Sequence, residues 1–271
     1  MAIDLERARR WIEEHGTPLD RQRLMALLGQ DVPREVPDAL RQLQNPDGGF
    51  PLGLIAGRPS ALAASVQVLG WLRDLRLADS DVARRALAFI AERQTARGIW
   101  RESKALLPFA LPPWSDPEAP AADVYTTALC AGTLATLAGD AYELHLDRAV
   151  SWLQSQQGRD GLLIGFRAHS SWLALPAFAL ILGHETRATR RLVGGLGNLL
   201  ADSWTGAMLA WMLQALLDAG YTRRTELVNR AWQLLQAAQQ PDGSFTGDEG
   251  DDPAQTILQA LDVAQRIHKQ T

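Results

Sequence analysis

One acidic segment of the sequence carries residue types that could move a proton. Asp123 and Tyr125 lie two residues apart in Asp123-Val124-Tyr125-Thr126-Thr127-Ala128, at the predicted start of an apolar helix. We expect Asp123 to act as an acid at the mouth of a cavity, with Tyr125 beside it. The alternative is structural, because an Asp at this place can cap the helix by accepting backbone N–H bonds.

A second acidic cluster lies near the C-terminus, in Gly247-Asp248-Glu249-Gly250-Asp251-Asp252. Crowded carboxylates can bind Mg²⁺, the one cofactor that the sequence suggests. We therefore take Asp251 and Asp252 as further candidate catalytic residues. The alternative is a solvated loop in which Asp252 caps the helix that begins at Pro253.

Basic side chains precede or open the apolar helices. The N-terminal ends of those helices carry positive partial charge, so a diphosphate would be stabilised there. The candidates for this binding are Arg58, Arg101, Lys104, Arg167 and His169. The alternative is that these side chains are simply solvated.

Tryptophans are the candidates for the apolar part of a substrate site. Aromatic faces can stabilise a carbocation, although a Trp on a buried helix usually fills the core. We place Trp172, Trp204 and Trp211 on apolar helices, and Trp114 in the Pro-rich loop that begins at Leu106. This loop is long enough to act as a lid.

Other chemistries lack the residues they need. The single cysteine, Cys130, excludes an internal disulfide and a Cys-rich zinc site. The five His residues have no Ser or Cys partner motif of a catalytic triad. Gly194-Gly195-Leu196-Gly197 follows no strand, so it is not a phosphate loop. No metal ligand is therefore assigned.

Apolar residues at helical spacing dominate the elements that must position these groups. They predict about twelve helices, at 4–15, 19–29, 34–44, 59–75, 80–95, 122–138, 145–157, 169–183, 187–201, 203–219, 223–239 and 252–268. Amphipathic helices alternate with helices that are apolar nearly all round, which should be buried. We predict an all-α fold, an (α/α)6 toroid (barrel) with two concentric rings. The rival arrangement is an open solenoid.

Four loops repeat along the chain. They lie in the segments Leu40–Phe50, Phe89–Trp100, Trp152–Leu163 and Leu234–Phe245. Each has a Gln, a few polar residues, a Gly and then an apolar residue. We expect Gly98, Gly161 and Gly243 to adopt a left-handed conformation after a helix end. We expect the Gln to bond the turn backbone or the start of the next helix.

Composition limits the classes of function. The 271 residues are 46% hydrophobic and carry a net charge of -4, which gives no sign of a nucleic-acid surface. Nine Trp against three Tyr suit wide helix interfaces or a large apolar pocket. The charged N-terminal helix is unlike a signal peptide, and no apolar run is long enough to span a bilayer. We expect a cytoplasmic protein with one domain over 1–271.

The loops resemble the QW-type repeats of squalene-hopene cyclases and the related repeats of protein prenyltransferases. The cleanest matches are Gln44-Asn45-Pro46-Asp47-Gly48-Gly49-Phe50 and Gln240-Pro241-Asp242-Gly243-Ser244-Phe245. The resemblance implies an α/α toroid with an apolar central cavity for an isoprenoid or another hydrophobic molecule.

Class II terpene cyclases of this superfamily carry an Asp-x-Asp-Asp-Thr-Ala motif, whose central Asp protonates the substrate. The similar segment here keeps Asp123, Thr127 and Ala128, but Tyr125 stands at the acid position and Thr126 follows it. A phenol is too weak an acid to protonate an alkene. The Asp-x-Cys zinc pattern of the prenyltransferases is not found.

Two functions therefore remain. The first is an enzyme on an isoprenoid, most simply a divergent class II-type terpene cyclase. The alternative is a non-catalytic toroid that binds a hydrophobic ligand or a protein partner after losing the cyclase acid. A glycan-processing toroid is weaker, since it needs two well-placed carboxylates.

Overall fold

The computed structural model describes residues 3–248 and 250–270. Within them lie twelve α-helices: α1 Leu5–His15, α2 Pro18–Leu27, α3 Asp38–Leu43, α4 Leu62–Asp74, α5 Asp81–Glu92, α6 Pro120–Ala138, α7 Glu143–Ser155, α8 Arg167–Leu182, α9 Arg187–Leu199, α10 Gly206–Asp218, α11 Glu226–Ala237 and α12 Pro253–His268. The strands of the described part are β1 Phe50–Pro51 and β2 Ser60–Ala61, which pair antiparallel. All twelve predicted helices are confirmed, with ends that differ by a few residues.

Local sequence signals explain where the helices begin. Thr17 and Asp20 form a capping box at the start of α2, each side chain bonding the backbone of the other residue. Ser80 and Thr205 cap α5 and α10 by accepting a backbone N–H. Pro120 opens α6, where a missing N–H costs nothing.

The chain divides into two compact units. One comprises Pro33–Leu196, and the other comprises the residues up to Val32 and from Gly197 onward. The single domain over 1–271 stays a prediction.

The larger unit is built around the apolar helices α6 and α8, which pack extensively on each other. Twelve of the nineteen residues of α6 are buried, so this helix has almost no solvent face. A Cβ on Gly132 of α6 would lie 2.1 Å from the carbonyl oxygen of Leu173 in α8, which shows how close the two backbones come. By contrast, the amphipathic α5 buries one face, with Ala86 and Ile90 inaccessible to solvent.

The smaller unit has α12 at its centre. This helix packs against α10, α1 and α2. Arg23 of α2 is almost completely buried and donates to Asp20 and to Gln255 of α12. The charge of Arg23 is thus partnered inside the unit, as burial requires.

Of the helices in residues 3–248 and 250–270, none combines the length and the apolar character needed to cross a membrane.

Candidate functional site

The four repeated loops share one hydrogen-bond pattern. In each, a Gln Nε2 donates to the carbonyl of the Gly four residues later and to a carbonyl at the start of an amphipathic helix. The donors and their acceptors are Gln44 to Gly48 and Val82, Gln94 to Gly98 and His145, Gln157 to Gly161 and Ala188, and Gln239 to Gly243 and Asp4. The expected bond from the Gln to the turn backbone is confirmed, but the helix that it contacts is not the next one in the chain, since α4 lies between the loop of Gln44 and α5. In the fourth loop the donor is Gln239, and Gln240 is equivalent to Asn45 of the first loop. The backbone N–H of Asn45 and that of Gln240 each donate across the turn, to the carbonyls of Gly49 and Ser244.

The loop glycines are required by both conformation and space. Gly98, Gly161 and Gly243 have φ of 82°, 90° and 94°, which confirms the expected left-handed backbone, and Gly48 joins them at 86°. A Cβ on Gly161 would lie 2.1 Å from the carbonyl oxygen of Arg191 in α9. These glycines therefore let each loop contact the backbone of a helix.

A hydroxyl on each apolar helix of the larger unit holds the end of a loop. Ser65, Thr127 and Ser171 accept the backbone N–H of Phe50, Trp100 and Leu163, at 2.9, 3.0 and 2.9 Å. Thr127 is the Thr of the segment that resembles the cyclase motif. Its presence is thus explained by the loop that it anchors and needs no catalytic role.

Asp123 lies in the first turn of α6, with its side chain almost buried. Its carboxylate faces Arg101, whose Nε donates to Oδ1 at 2.7 Å while the guanidinium NH2 binds Oδ2. The capping alternative is wrong, because Ala119 occupies the N-cap and Arg101 takes both oxygens of Asp123. The same contact raises the pKa of Arg101. Arg101 thus engages both oxygens of Asp123, and this geometry opposes the role of Asp123 as a general acid.

Tyr125 belongs to an aromatic cluster at the N-terminal ends of α6 and α8. Its ring meets Phe166 edge-on at 5.9 Å, and Phe166 meets Trp114 edge-on at 6.3 Å. Tyr125 is buried, whereas Trp114 is 44% exposed, so the cluster leads from the surface into the protein. Burial raises the pKa of the Tyr125 phenol far above its ordinary value. Phe166 was missed in the sequence, where only its apolar character before a helix gave a signal.

Glu102 is a second residue that sequence reasoning missed. Its carboxylate oxygens accept the backbone N–H groups of Leu62 and Ala63, both at 2.9 Å, and so hold the N-terminus of α4. Glu102 is 5% exposed, and burial raises its pKa despite the two N–H donors. The raised pKa of the fully buried Cys130 thiol arises from burial and from the nearby charge of Glu102.

The acidic loop is held by its own backbone. Asp251 accepts the N–H of Asp248 at 2.7 Å, and Asp252 accepts the N–H of Ala254 as the N-cap of α12. Glu249 lies outside the described residues. Among those described, no three His, Cys, Asp or Glu side chains are grouped to hold a metal ion. The geometry therefore supports the capping role of Asp252 and gives Mg²⁺ no described set of ligands.

The predicted basic residues lie in separate contacts. Arg58 stacks over Phe109 of the Pro-rich loop, 5.0 Å from the ring centre. Lys104 pairs with Glu118 at 3.5 Å. Arg167 opens α8 and pairs with Asp160 of the third repeat loop. His169 lies in the first turn of α8, with its ring 4.4 Å from that of Trp172. Diphosphate binding by these groups stays a prediction.

The predicted tryptophans differ in their surroundings. Trp172 has no solvent exposure and fills the core of the larger unit. Trp211 lies on α10 as predicted and is half-buried. The placement of Trp204 on that helix is wrong, because Thr205 caps α10 and leaves Trp204 in the preceding loop.

Solved structures of similar fold are known, although the sequence itself has no match of two other kinds. No family model and no curated protein matches the sequence. A protein from Actinoplanes is similar with a TM-score of 0.65 and 17% identity, over 97% of this chain and 98% of the other. The type II terpene cyclase MstE from Scytonema gives 0.59 and 14%, over 93% and 88%.

A third similar structure is ent-copalyl diphosphate synthase from Streptomyces platensis. Its TM-score is 0.57 at 17% identity, over 96% of this chain and 54% of that one. A variant of MstE was solved with geranylgeranyl dihydroxybenzoate, its substrate. The fold is thus that of the class II terpene cyclases, which confirms the all-α toroid class and the resemblance drawn from the loops. Identities this low carry the fold alone.

Proposed function

We propose that this protein binds the prenyl chain of an isoprenoid at the cluster of Trp114, Phe166 and Tyr125, without protonating it from the position of the family's acid. A protein of similar fold, the type II terpene cyclase MstE, binds a prenylated substrate, which supports an isoprenoid as the ligand class. A chain of isoprene units offers methyl and methylene groups that pack well on aromatic rings.

The observation that carries this proposal is the environment of the motif segment. Tyr125 stands where a cyclase has its acid, and its phenol is made a still weaker acid by burial. The neighbouring carboxylate, Asp123, has both oxygens engaged by Arg101. The segment therefore offers an aromatic surface in place of a proton donor.

Binding is tested by thermal unfolding with farnesyl diphosphate, geranylgeranyl diphosphate and squalene. A ligand that binds the folded state raises the melting temperature by mass action. We expect such a rise with at least one of the three. In Trp114→Ala the rise should be smaller, with a dissociation constant about tenfold larger, since one truncated anchor costs on the order of 1–2 kcal/mol.

Trp152→Ala is the matched control, because Trp152 is half-buried on α7 and lies outside the cluster. It should keep the affinity of the parent protein. Equal weakening in both variants would refute the aromatic cluster as the site. No thermal shift with any of the three ligands would refute isoprenoid binding and leave the protein-partner alternative.

A second candidate function, cyclisation, is favoured by Glu102. Its buried carboxyl has a raised pKa, as a general acid needs, although both oxygens now accept N–H bonds from α4. On this reading the protein turns over one of the three substrates, Glu102→Gln abolishes product, and Tyr125→Phe keeps it. The opposite ranking of the two variants would exclude Glu102 as the acid.

A further inference from the structure

A surface cleft of about 490 Å³ lies between the end of α3 and the start of α5. We call it the Arg41 cleft. Its volume is within the range of small-molecule sites. Three arginines and one carboxylate line it, together with an amide and an aliphatic side chain: Arg41, Arg84, Arg85, Asp81, Gln44 and Val82. Neither Tyr125 nor its aromatic neighbours take part.

One of these arginines belongs to the repeat architecture. Arg85 donates to the carbonyls of Asn45 and Pro46 in the first loop. Arg191 and Arg7 bind carbonyls of the third and fourth loops in the same way. The position of Arg85 is therefore explained by the fold.

Arg41 and Arg84 have no such explanation. Arg41 lies three residues before the loop Gln, and Arg84 lies directly before the arginine of the repeat. The residues at these two positions in the other three copies are Ala91 and Asp147, Gln154 and Arg190, and Gln236 and Glu6. Two arginines thus meet only in the first copy. Two positive charges placed close together repel each other, unless a negative group lies between them.

The charges of the cleft are partly unsatisfied. Within the part of the chain that the structure describes, the guanidinium of Arg41 makes no hydrogen bond or ion pair, and the residue is exposed. Arg84 pairs with Asp81 and also donates to the carbonyl of Asp79, but the side chains of Arg84 and Asp81 are more than 60% exposed, so the ion pair is weak and exchangeable. Three guanidinium groups against one carboxylate leave two positive charges, beside the positive end of α5.

We propose that the Arg41 cleft binds a phosphate or diphosphate group. A guanidinium donates two parallel N–H bonds to such an anion, which a single carboxylate partner does not exhaust. The anion could arrive as a free soluble phosphate compound or as the headgroup of an anionic lipid. The cleft is a site independent of prenyl binding at Trp114.

Calorimetric titration with inorganic pyrophosphate, and sedimentation with phosphatidylglycerol or phosphatidylcholine vesicles, test this proposal. Arg41→Gln should weaken binding about tenfold, as loss of a charge-assisted bond does. Arg97→Gln is the matched control, because Arg97 is exposed in the second loop and its substitution removes the same charge as Arg41→Gln. It should bind like the parent protein. Arg84→Gln provides a second variant, and unchanged circular dichroism shows that each is folded.

Each outcome decides the proposal. Pyrophosphate binding that Arg41→Gln weakens and Arg97→Gln keeps supports a soluble ligand. Sedimentation with phosphatidylglycerol alone, with the same ranking of variants, supports a lipid headgroup. Equal weakening of binding in Arg41→Gln and Arg97→Gln shows a general charge effect and overturns the proposed binding at the cleft. The absence of binding to pyrophosphate and to both vesicles overturns it as well.

Discussion

Replacing Gly161 by Ala tests how the repeated loops hold the fold. Gly161 has φ of 90°, and an added Cβ would lie 2.1 Å from the carbonyl oxygen of Arg191. The left-handed backbone costs an Ala about 1–2 kcal/mol. The clash with helix backbone adds about 1–3 kcal/mol, as overpacking does. We therefore expect the free energy of unfolding to fall by roughly 2–5 kcal/mol.

Gly57→Ala separates these two causes. Gly57 has φ of 84°, but an added Cβ would meet no atom within 4 Å. This variant should lose only about 1–2 kcal/mol, from the backbone alone. Urea unfolding measures both variants, with equal slopes showing that the unfolded states are comparable. Losses that agree within about 0.5 kcal/mol would refute the close approach of the loop to α9.

Two further predictions concern side chains. Gln157→Ala should lower the free energy of unfolding in urea by about 1–3 kcal/mol, because the carbonyls of Gly161 and Ala188 lose their donor. The control is Gln154→Ala, at an exposed position of α7, which should lower it by under about 0.5 kcal/mol. Equal losses in the two variants would contradict the bridging role of Gln157. Glu102→Gln should alter the pH dependence of stability. Burial raises the pKa of Glu102 above its ordinary 4.5, so the unfolded state loses the proton first as pH rises. The parent protein should then lose stability relative to Glu102→Gln from about pH 4.5 upward, until its own carboxyl ionises; a relative gain over that range would show that the pKa is lowered.

Much of the fold could be predicted from the sequence because its signals are local. Helical spacing of apolar residues gave every helix, and the Gln and Gly of each loop predicted the turns. The ends were less certain where a cap competes with apolar spacing. Trp204 fits the periodicity of α10, yet the Thr205 side chain accepts the backbone N–H of Met208 as the N-cap, so the helix begins at Gly206.

The site was harder to predict, because its contacts join residues far apart in sequence. Arg101 and Asp123 form their ion pair across 22 positions, which no motif marks. Glu102 reaches back 40 positions to cap α4, and its burial has no signature in the surrounding sequence. The weak acidity at the motif position was predictable, since Tyr125 is read directly from the sequence.

The central claim is that this protein binds a prenyl chain and leaves it unreacted. The direct measurement is gas chromatography with mass spectrometry of the ligand extracted after incubation with geranylgeranyl diphosphate and dephosphorylation. We predict intact geranylgeraniol, retained by the parent protein and Trp152→Ala and depleted in Trp114→Ala. A cyclised product from the parent protein would contradict the claim, and its loss in Glu102→Gln would identify the acid.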